Sequence, residues 1–275
     1  MSTAFVFSGG ASLGSVQVGM LQALEAADIY PDMVLGTSVG AMNAAYVAGG
    51  GNAEGLKKIW TGLRGSRLFP VQPLTGLQAF LGKRLNFVPN DGVRRVLRNN
   101  LPYRQLEDAR LPITVMATDL LTGTEVRLTT GDAIESILAS ISLPGVFPPI
   151  EIDHHVLVDG GIANNTPISV AIEAGATEVW VLNTGYSCGL AEVPKTALSM
   201  ALHSVGLLVQ QRLLVETANT EYPVPVHLIP APCPISVSPT DFSQSEMLIR
   251  RARQGTEQWL ANGRPFATPY FPHLH

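Results

Sequence analysis

The amino-acid sequence predicts a single α/β domain with a mainly parallel central sheet and helices on both faces, a three-layer arrangement. Short apolar segments with strand character alternate along the chain with helical patterns, as in strands joined by crossover helices. Two strand-to-helix connections, at 8–14 and 36–40, are rich in glycine. No internal repeat, low-complexity block or linker interrupts the pattern. We therefore predict one domain over residues 1–264 and an irregular, proline-rich tail at 265–275.

The first strand and the loop after it indicate an anion site. Ala4–Phe7 is short and fully apolar, as expected for a central strand of a parallel sheet. The glycine-rich loop at 8–14 leads into a helix, whose apolar residues from Val16 recur with helical spacing. Such a loop exposes backbone N–H groups to anions. Its spacing fits neither a dinucleotide fingerprint nor a Walker loop, so we favour an oxyanion hole for a reaction at the serine that follows.

The segment Val34–Ala41 has the pattern of a nucleophile elbow. Apolar residues run into Gly-x-Ser-x-Gly, and a helix of small residues follows, which places Ser38 at a sharp turn. Gly36 and Gly40 allow that turn and leave room for a substrate carbonyl at the serine hydroxyl. The helix starts at this turn, so its free N–H groups and positive dipole end point at the site. The competing interpretation is an ordinary glycine-rich strand-to-helix turn.

Residues 55–104 are strongly basic. They contain ten of the 18 lysines and arginines but a single acidic residue, Asp91, in a chain whose net charge is −4. Prolines divide the wider segment, so we expect brief helices and loops that form a cap-like region over the site at about 49–110. One interpretation is solvated helix faces paired with acids elsewhere. The other is peripheral contact with anionic lipid at the inner membrane face, with no nucleic-acid partner. The residues predicted to make that contact are Lys57, Lys58, Lys83, Arg84, Arg94, Arg95 and Arg98.

Strands and helices continue to alternate through the rest of the chain. Two predicted helices start with the spacing of a capping box, Asp132 with Glu135 and Ser243 with Glu246. The predicted elements are strands at Leu111–Thr118 and Glu125–Thr129, a helix at Ala133–Ile141, a hairpin at Glu151–Val158, a helix after Pro167, a strand at Glu178–Asn183, a long, mostly apolar helix from about Thr196 to Thr220, a strand at Val224–Ile229 and a final helix to about Leu260.

Asp159 is the candidate base for Ser38. A serine hydroxyl needs a base within hydrogen-bond reach, and the usual base is a histidine. No histidine lies in a loop flanked by glycines, whereas Asp159 ends a predicted strand directly before Gly160-Gly161. We expect the carboxyl ends of the strands to converge with the elbow at one edge of the sheet. The competing interpretation is an Asp-Gly turn, which is common in any fold, and His203 or His227 stays open as an alternative base.

The composition excludes several classes of protein. With 46% hydrophobic and 15% charged residues, the chain does not resemble a disordered one. Met1–Phe7 has no basic n-region, so we do not expect a signal peptide. No apolar stretch reaches the length of about 18 residues that spans a bilayer. Cys188 and Cys233 show no metal-binding or redox spacing, so we expect a cytoplasmic protein with two free thiols.

The motifs, taken in order, resemble those of the patatin-like phospholipases, a family of lipid acyl hydrolases. They are the loop at 9–14, the elbow at 36–40 and the segment Asp159-Gly160-Gly161, and the segments Ala139–Pro149 and Asp241–Ser243 also look like the family's. The resemblance implies that Ser38 is the nucleophile and Asp159 the base of a Ser–Asp dyad. It also implies hydrolysis of phospholipid or other acyl esters without a metal or cofactor. The implied oxyanion-hole residues are Gly9, Gly10, Ala11 and Val39.

The sequence departs from the family's glycine-rich loop at two positions. The family's loop usually has three glycines and a basic residue before the last glycine, whereas this chain has Ala11 and Leu13 there. Backbone amides do not depend on side chains, so we expect the oxyanion hole to be kept if Ala11 has a negative φ. Two other functions stay open: a Ser–His–Asp esterase or thioesterase on soluble substrates, and a catalytically silent module that binds lipid or protein.

Overall fold

The structure is a computed structural model that describes residues 2–63, 88–185, 221–233 and 241–263 and a few positions between 193 and 237. The described residues form an eight-stranded sheet with helices packed on both faces, which confirms the predicted α/β class. The predicted tail at 265–275, most of the predicted helix at 196–220, and Lys83 and Arg84 lie outside the described residues.

The strands and helices lie close to their predicted bounds. The strands are β1 (Thr3–Phe7), β2 (Met33–Thr37), β3 (Ile113–Asp119), β4 (Glu125–Leu128), β5 (Ile150–Ile152), β6 (His155–Asp159), β7 (Glu178–Leu182) and β8 (Val226–Ile229). The described helices are α1 (Ser15–Ala26), α2 (Val39–Ala48), α3 (Ala53–Gly62), α4 (Asp91–Asn100), α5 (Ala133–Ser140), α6 (Ile168–Glu173) and α7 (Ser245–Ala261). None of these described helices has the length and hydropathy needed to cross a membrane.

The central strands are apolar because helices cover both faces of the sheet. Strands β3, β2, β1, β7 and β8 run parallel in that order, and β4, β5 and β6 add antiparallel pairs at one end. Successive side chains of a strand point to opposite faces. Phe5 and Phe7 pack in the core formed with α1, α2 and α7, whereas Ala4 and Val6 pack in the core formed with α6. The prediction of a mainly parallel, three-layer fold is confirmed.

The pairing of β3 brings the carboxyl ends of β2 and β6 together. Met116 pairs with Thr37 of β2. The next residue, Ala117, pairs with Asp159 of β6. Both β3 residues also pair with β4, so β4 occupies one edge of β3, and β2 and β6 share the other. The strand ends converge as expected, but β6 is antiparallel to β3 and therefore meets β2 from the opposite direction.

Of the two side-chain caps that the sequence predicts, the structure confirms one and replaces the other. The Asp132 carboxylate accepts hydrogen bonds from the N–H groups of Ile134 and Glu135, each over 2.9 Å, which confirms that predicted cap. Ser243 does not cap the last helix. The Asp241 carboxylate accepts the Ser243 N–H over 2.9 Å and starts a 3₁₀ turn, and α7 follows that turn. The prediction was wrong because Asp241 starts the helical segment two residues earlier and also accepts the Ser243 hydroxyl over 2.6 Å.

The expectation of two free thiols is wrong, because Cys233 is disulfide-bonded. Cys188 is the other cysteine of the chain, and it lies outside the described residues.

The brief helices expected in the basic region are present where that region is described. Helix α3 packs against α1 and α7, and α4 packs against α5. Residues 64–87 lie outside the described residues. A cap over the site therefore stays a prediction.

Gly160→Ala tests the meeting of β2 and β6. A Cβ atom at Gly160 would lie 2.2 Å from the carbonyl oxygen of Met116, which belongs to the backbone of β3. We expect the variant to lose about 1–3 kcal/mol of unfolding free energy in chemical denaturation, because the strand backbone cannot move aside. The matched control is Gly255→Ala in α7, where nothing lies within 4 Å of the new Cβ. That variant should gain about 0.5–1 kcal/mol, and equal stability of the two variants would contradict the account.

Candidate active site

Ser38 lies at a sharp turn between β2 and α2. Its φ of 54° and ψ of −129° form a conformation that L-residues rarely adopt. The backbones approach closely here, because a Cβ atom at Gly40 would lie 2.2 Å from the carbonyl oxygen of Phe7. The Ser38 N–H donates to the hydroxyl of Ser140, 2.8 Å away at the end of α5. The serine therefore stands at the N-terminus of α2, in the strand–turn–helix geometry that the elbow pattern predicts.

The Ser38 hydroxyl is hydrogen-bonded to a buried carboxylate. Its Oγ donates to Oδ2 of Asp159 over 2.7 Å, and Asp159 is 6% exposed. The other carboxylate oxygen, Oδ1, accepts the Gly161 N–H over 2.8 Å. The backbone carbonyl of Asp159 accepts the Thr118 hydroxyl over 2.9 Å. These contacts fix the carboxylate and leave Oδ2 directed at Ser38.

Burial raises the pKa of Asp159 from its ordinary value of 3.8 to about 6. The ionised carboxylate loses its hydration in the buried site, which disfavours the charged form. The hydrogen bonds from Ser38 and Gly161 lower the pKa but do not offset the burial. Asp159 is therefore a stronger base than an exposed aspartate, and it is still mostly ionised at neutral pH.

Hydrogen bonds hold the first peptide group of the glycine-rich loop at both ends. Gln17 Nε2 donates to the carbonyl oxygen of Ser8 over 2.8 Å. The N–H of Gly9 donates to Oδ1 of Asn165 over 3.1 Å. The Gly9 N–H, which the resemblance assigned to the oxyanion hole, therefore already has an acceptor.

Other amides near the serine have no acceptor in the described part of the chain. Among the described residues, no acceptor takes the N–H groups of Gly10, Ala11 or Val39. The loop lies against Ser38, because a Cβ atom at Gly9 would lie 3.0 Å from the Cβ of Ser38. Free N–H groups at the start of a helix favour negative charge. The arrangement therefore offers donors for an anion that forms next to Ser38.

The two departures in the loop have different consequences. Ala11 has a φ of 50°, so the condition stated for this alanine, a negative φ, is not met. Ala11 is the first residue of a tight 3₁₀ turn, and a positive φ costs an L-residue about 1 kcal/mol or more. Leu13, which stands where the family has a basic residue, is 4% exposed and packs in the main core. Apolar packing therefore anchors the loop at this position.

The histidines considered as alternative bases do not reach the serine. The His227 ring bonds Glu178 over 2.8 Å and lies 4.3 Å from the Trp180 ring, between their centroids. Within the described part of the chain, neither His203 nor His227 forms a hydrogen bond to Ser38. The structure therefore favours Asp159 over histidine as the partner of the hydroxyl.

Some of the described basic residues are ion-paired or half-buried, as Lys57 is, and others are exposed. Arg94 forms a two-point ion pair with Glu135, as the pairing interpretation expects. Lys58, Arg95 and Arg98 are exposed and form no ion pair with another described residue. The exposed residues on α3 and α4 are therefore the described part of the candidate lipid surface.

Sequence reasoning missed the polar residues that hold the loop. Asn165 and Thr184 both bond Gly9, and Gln17 bonds the residue before it. Thr184 follows the apolar strand β7, at the carboxyl edge where α/β proteins bind ligands. Its position after a strand is the one feature of the sequence from which Thr184 could have been found. Gln17 sits in a helix whose pattern gives no such signal.

The fold and the site together define a class: α/β proteins with a nucleophile elbow, in which a serine bonds a buried carboxylate beside free backbone amides. A family-level comparison matches residues 5–172, more than half of the chain, to Patatin-like phospholipase. The chain belongs to the patatin-like phospholipase family. The matched residues include the glycine-rich loop, the elbow and Asp159.

Curated relatives are much longer than this chain. Patatin-like phospholipase domain-containing protein 7 of Rattus norvegicus is 33% identical over 192 residues, which cover 66% of this chain and 13% of that protein. Neuropathy target esterase sws of Drosophila melanogaster is 30% identical over 193 residues, which cover 67% of this chain and 13% of that protein. The match thus spans 13% of the length of these relatives. Among solved structures, VipD from Legionella pneumophila shares the fold with a TM-score of 0.53 at 17% identity, covering 95% of this chain and 67% of that one.

Ala11→Gly tests the strain in the loop. Glycine adopts a φ of 50° without a Cβ clash, so we expect the free energy of unfolding to rise by about 1 kcal/mol. Denaturant unfolding measures the change. Ala23→Gly in the middle of α1 is the control, and it should lose at least about 0.5–1 kcal/mol. A similar loss in both variants would show that Ala11 is not strained.

Proposed function

We propose that this chain is a serine lipid acyl hydrolase of the phospholipase A or esterase type. The observation that carries the proposal is the 2.7 Å hydrogen bond from Ser38 Oγ to Asp159 Oδ2 at the start of α2. Family membership supports an acyl-ester substrate. The relatives are named phospholipase, esterase and, in Mycosarcoma maydis, lysophospholipase, so phospholipids and lysophospholipids are the substrate class that we propose.

In the first step, Ser38 Oγ attacks the carbonyl carbon of the ester. Its proton passes along the hydrogen bond to Asp159, which must be ionised to accept it. The pKa of about 6 leaves the carboxylate ionised at neutral pH and makes it a better base than an exposed aspartate. A single carboxylate thus takes the part that a histidine plays in most serine hydrolases.

The negative charge that develops on the carbonyl oxygen needs fixed donors. We propose that the N–H groups of Gly10, Ala11 and Val39 supply them, since these amides have no acceptor among the described residues. Gly9 leaves the predicted set because Asn165 holds its N–H. The hole that we propose is therefore smaller by one residue than the resemblance implied.

In the second half of the reaction, the intermediate expels the alcohol and leaves the acyl chain on Ser38. The alcohol takes the proton that Asp159 accepted. Water then attacks the acyl-enzyme while Asp159 accepts a proton from it, and the proton returns to Ser38 Oγ as the fatty acid leaves. Asp159 alternates between base and acid, which suits a carboxyl group whose pKa is raised toward neutrality.

Substitutions in the dyad test the proposed roles. We expect Ser38→Ala and Asp159→Asn to release fatty acid from mixed phospholipid vesicles at least about 1,000-fold more slowly than the wild type. Asp153→Asn is the matched control, because it removes the same charge from an exposed turn between β5 and β6. Wild-type release by Asp159→Asn would refute the dyad. Absence of release by the wild type would favour a soluble ester substrate or a silent binding module.

Asp159→Asn also tests the cost of the buried carboxylate. Because folding raises the pKa of Asp159 from 3.8 to about 6, the folded chain binds a proton more tightly than the unfolded chain. The wild type should therefore lose unfolding free energy as the pH rises through this window, by roughly 3 kcal/mol in all. Asp159→Asn should match the wild type near pH 3.5 and be more stable above pH 6, as judged by denaturant unfolding. Lower stability than the wild type at pH 8 would contradict this prediction.

We also propose that the exposed basic residues hold the enzyme at an anionic membrane surface. Arg95→Gln and Arg98→Gln should each weaken binding to anionic vesicles by up to about 1 kcal/mol, because each removes one charge from α4. Added salt should weaken wild-type binding, since screening acts over roughly 8 Å at physiological ionic strength. Vesicle sedimentation measures both effects, with Arg250→Gln on α7 as the control. Equal binding of the wild type to neutral and anionic vesicles at low salt would contradict the proposed membrane contact.

A further inference from the structure

We propose that Thr184 is a positioning residue that directs the Gly10 N–H toward the carbonyl oxygen of the substrate. The inference rests on the function proposed above and adds a residue that the elbow, the loop and the base do not include. Thr184 lies two residues beyond the end of β7 and is fully buried, at 0% exposure.

The Thr184 side chain is bonded directly to the glycine-rich loop. Its hydroxyl donates to the carbonyl oxygen of Gly9 over 2.6 Å. The two segments are in close contact, because a Cβ atom at Gly10 would lie 2.3 Å from Thr184 Oγ1. The N–H of Thr184 donates to the Ser8 hydroxyl over 3.0 Å, so the loop also fixes the backbone that carries the threonine.

The geometry of the peptide bond connects this contact to the oxyanion hole. The Gly9 carbonyl and the Gly10 N–H belong to one planar trans peptide group, in which C=O and N–H point in opposite directions. A carbonyl held toward the buried threonine therefore turns the Gly10 N–H away from it. That N–H has no acceptor among the described residues, so it is free for the substrate.

The loop needs such an anchor because two adjacent glycines give it wide conformational freedom. Asn165 holds the preceding peptide through the Gly9 N–H, over 3.1 Å. Thr184 holds the next one, and the Leu13 N–H bonds the carbonyl of Gly10 over 3.1 Å. Each carbonyl of Ser8, Gly9 and Gly10 thus has a donor. Donors fixed in advance stabilise a developing charge without reorganisation during the reaction.

The test compares Thr184→Val with Thr184→Ser. Valine keeps the shape of threonine and removes the hydroxyl, whereas serine keeps the hydroxyl. The control is Thr256→Val in α7, an equally buried threonine whose hydroxyl has no hydrogen-bond partner among the described residues. Fatty acid release is normalised to the fraction of enzyme that a fluorophosphonate labels at Ser38, so partial unfolding does not count as lost turnover.

We expect Thr184→Val to lower kcat by about 10-fold or more with KM unchanged, because the donor is misdirected in the transition state while substrate binding is kept. The pH midpoint of kcat should not move, since Asp159 is untouched. Thr184→Ser and Thr256→Val should stay within about twofold of the wild type. If Thr184→Val does not fold, the comparison of Thr184→Ala with Thr184→Ser carries the same prediction.

Wild-type kcat in Thr184→Val, or a change confined to thermal stability or KM, would overturn the inference. Failure of Thr184→Ser to keep activity would do the same, because the hydroxyl would then not be the operative group. If the wild type shows no Ser38-dependent release, the proposed function itself fails and this inference falls with it. The measurement on the wild type therefore distinguishes failure of the proposed function from failure of the inference about Thr184.

Discussion

The site depends on two strands that share one edge of β3. Because β2 arrives parallel and β6 antiparallel, their carboxyl ends meet at Met116 and Ala117. The residue after β2 is Ser38, and the last residue of β6 is Asp159, so the strand pairing places the two residues next to each other, and the hydroxyl bonds the carboxylate over 2.7 Å. The hydrogen-bonded backbone of the sheet thus positions both partners. Neither partner relies on a long loop for its position.

Around the point where β2 and β6 meet, the site contains strained backbone and a buried charge, and both lower the stability of the fold. Ser38 and Ala11 both have positive φ, and the carboxylate of Asp159 is buried without a cationic partner among the described residues. Each feature lowers stability and serves the proposed reaction: a protruding nucleophile, a loop with free amides and a base with a raised pKa. Hydrogen bonds hold the elbow and the loop: Ser140 and Asn165 accept the N–H groups of Ser38 and Gly9, and Thr184 donates to the Gly9 carbonyl.

The sequence predicted the features that have local signals. Glycine spacing and apolar runs placed Ser38 at its turn, and the Asp-Gly-Gly segment at a strand end singled out Asp159. The antiparallel direction of β6 was not predictable, because strand partners depend on contacts between distant segments. Asn165 and Thr184 were missed for the same reason, since they bond a residue 156 and 175 positions away. The positive φ of Ala11 was not predicted either, because alanine normally adopts a negative φ.

The most direct test of the central claim is the rate at which a fluorophosphonate labels Ser38 as a function of pH. If Asp159 activates the serine, the wild-type rate should rise with a midpoint near pH 6, the pKa of the buried carboxylate. Asp159→Asn, folded by circular dichroism, should label at least about 100-fold more slowly and without that midpoint. The same rate and the same midpoint in both proteins would contradict the account, because the base would then be another group.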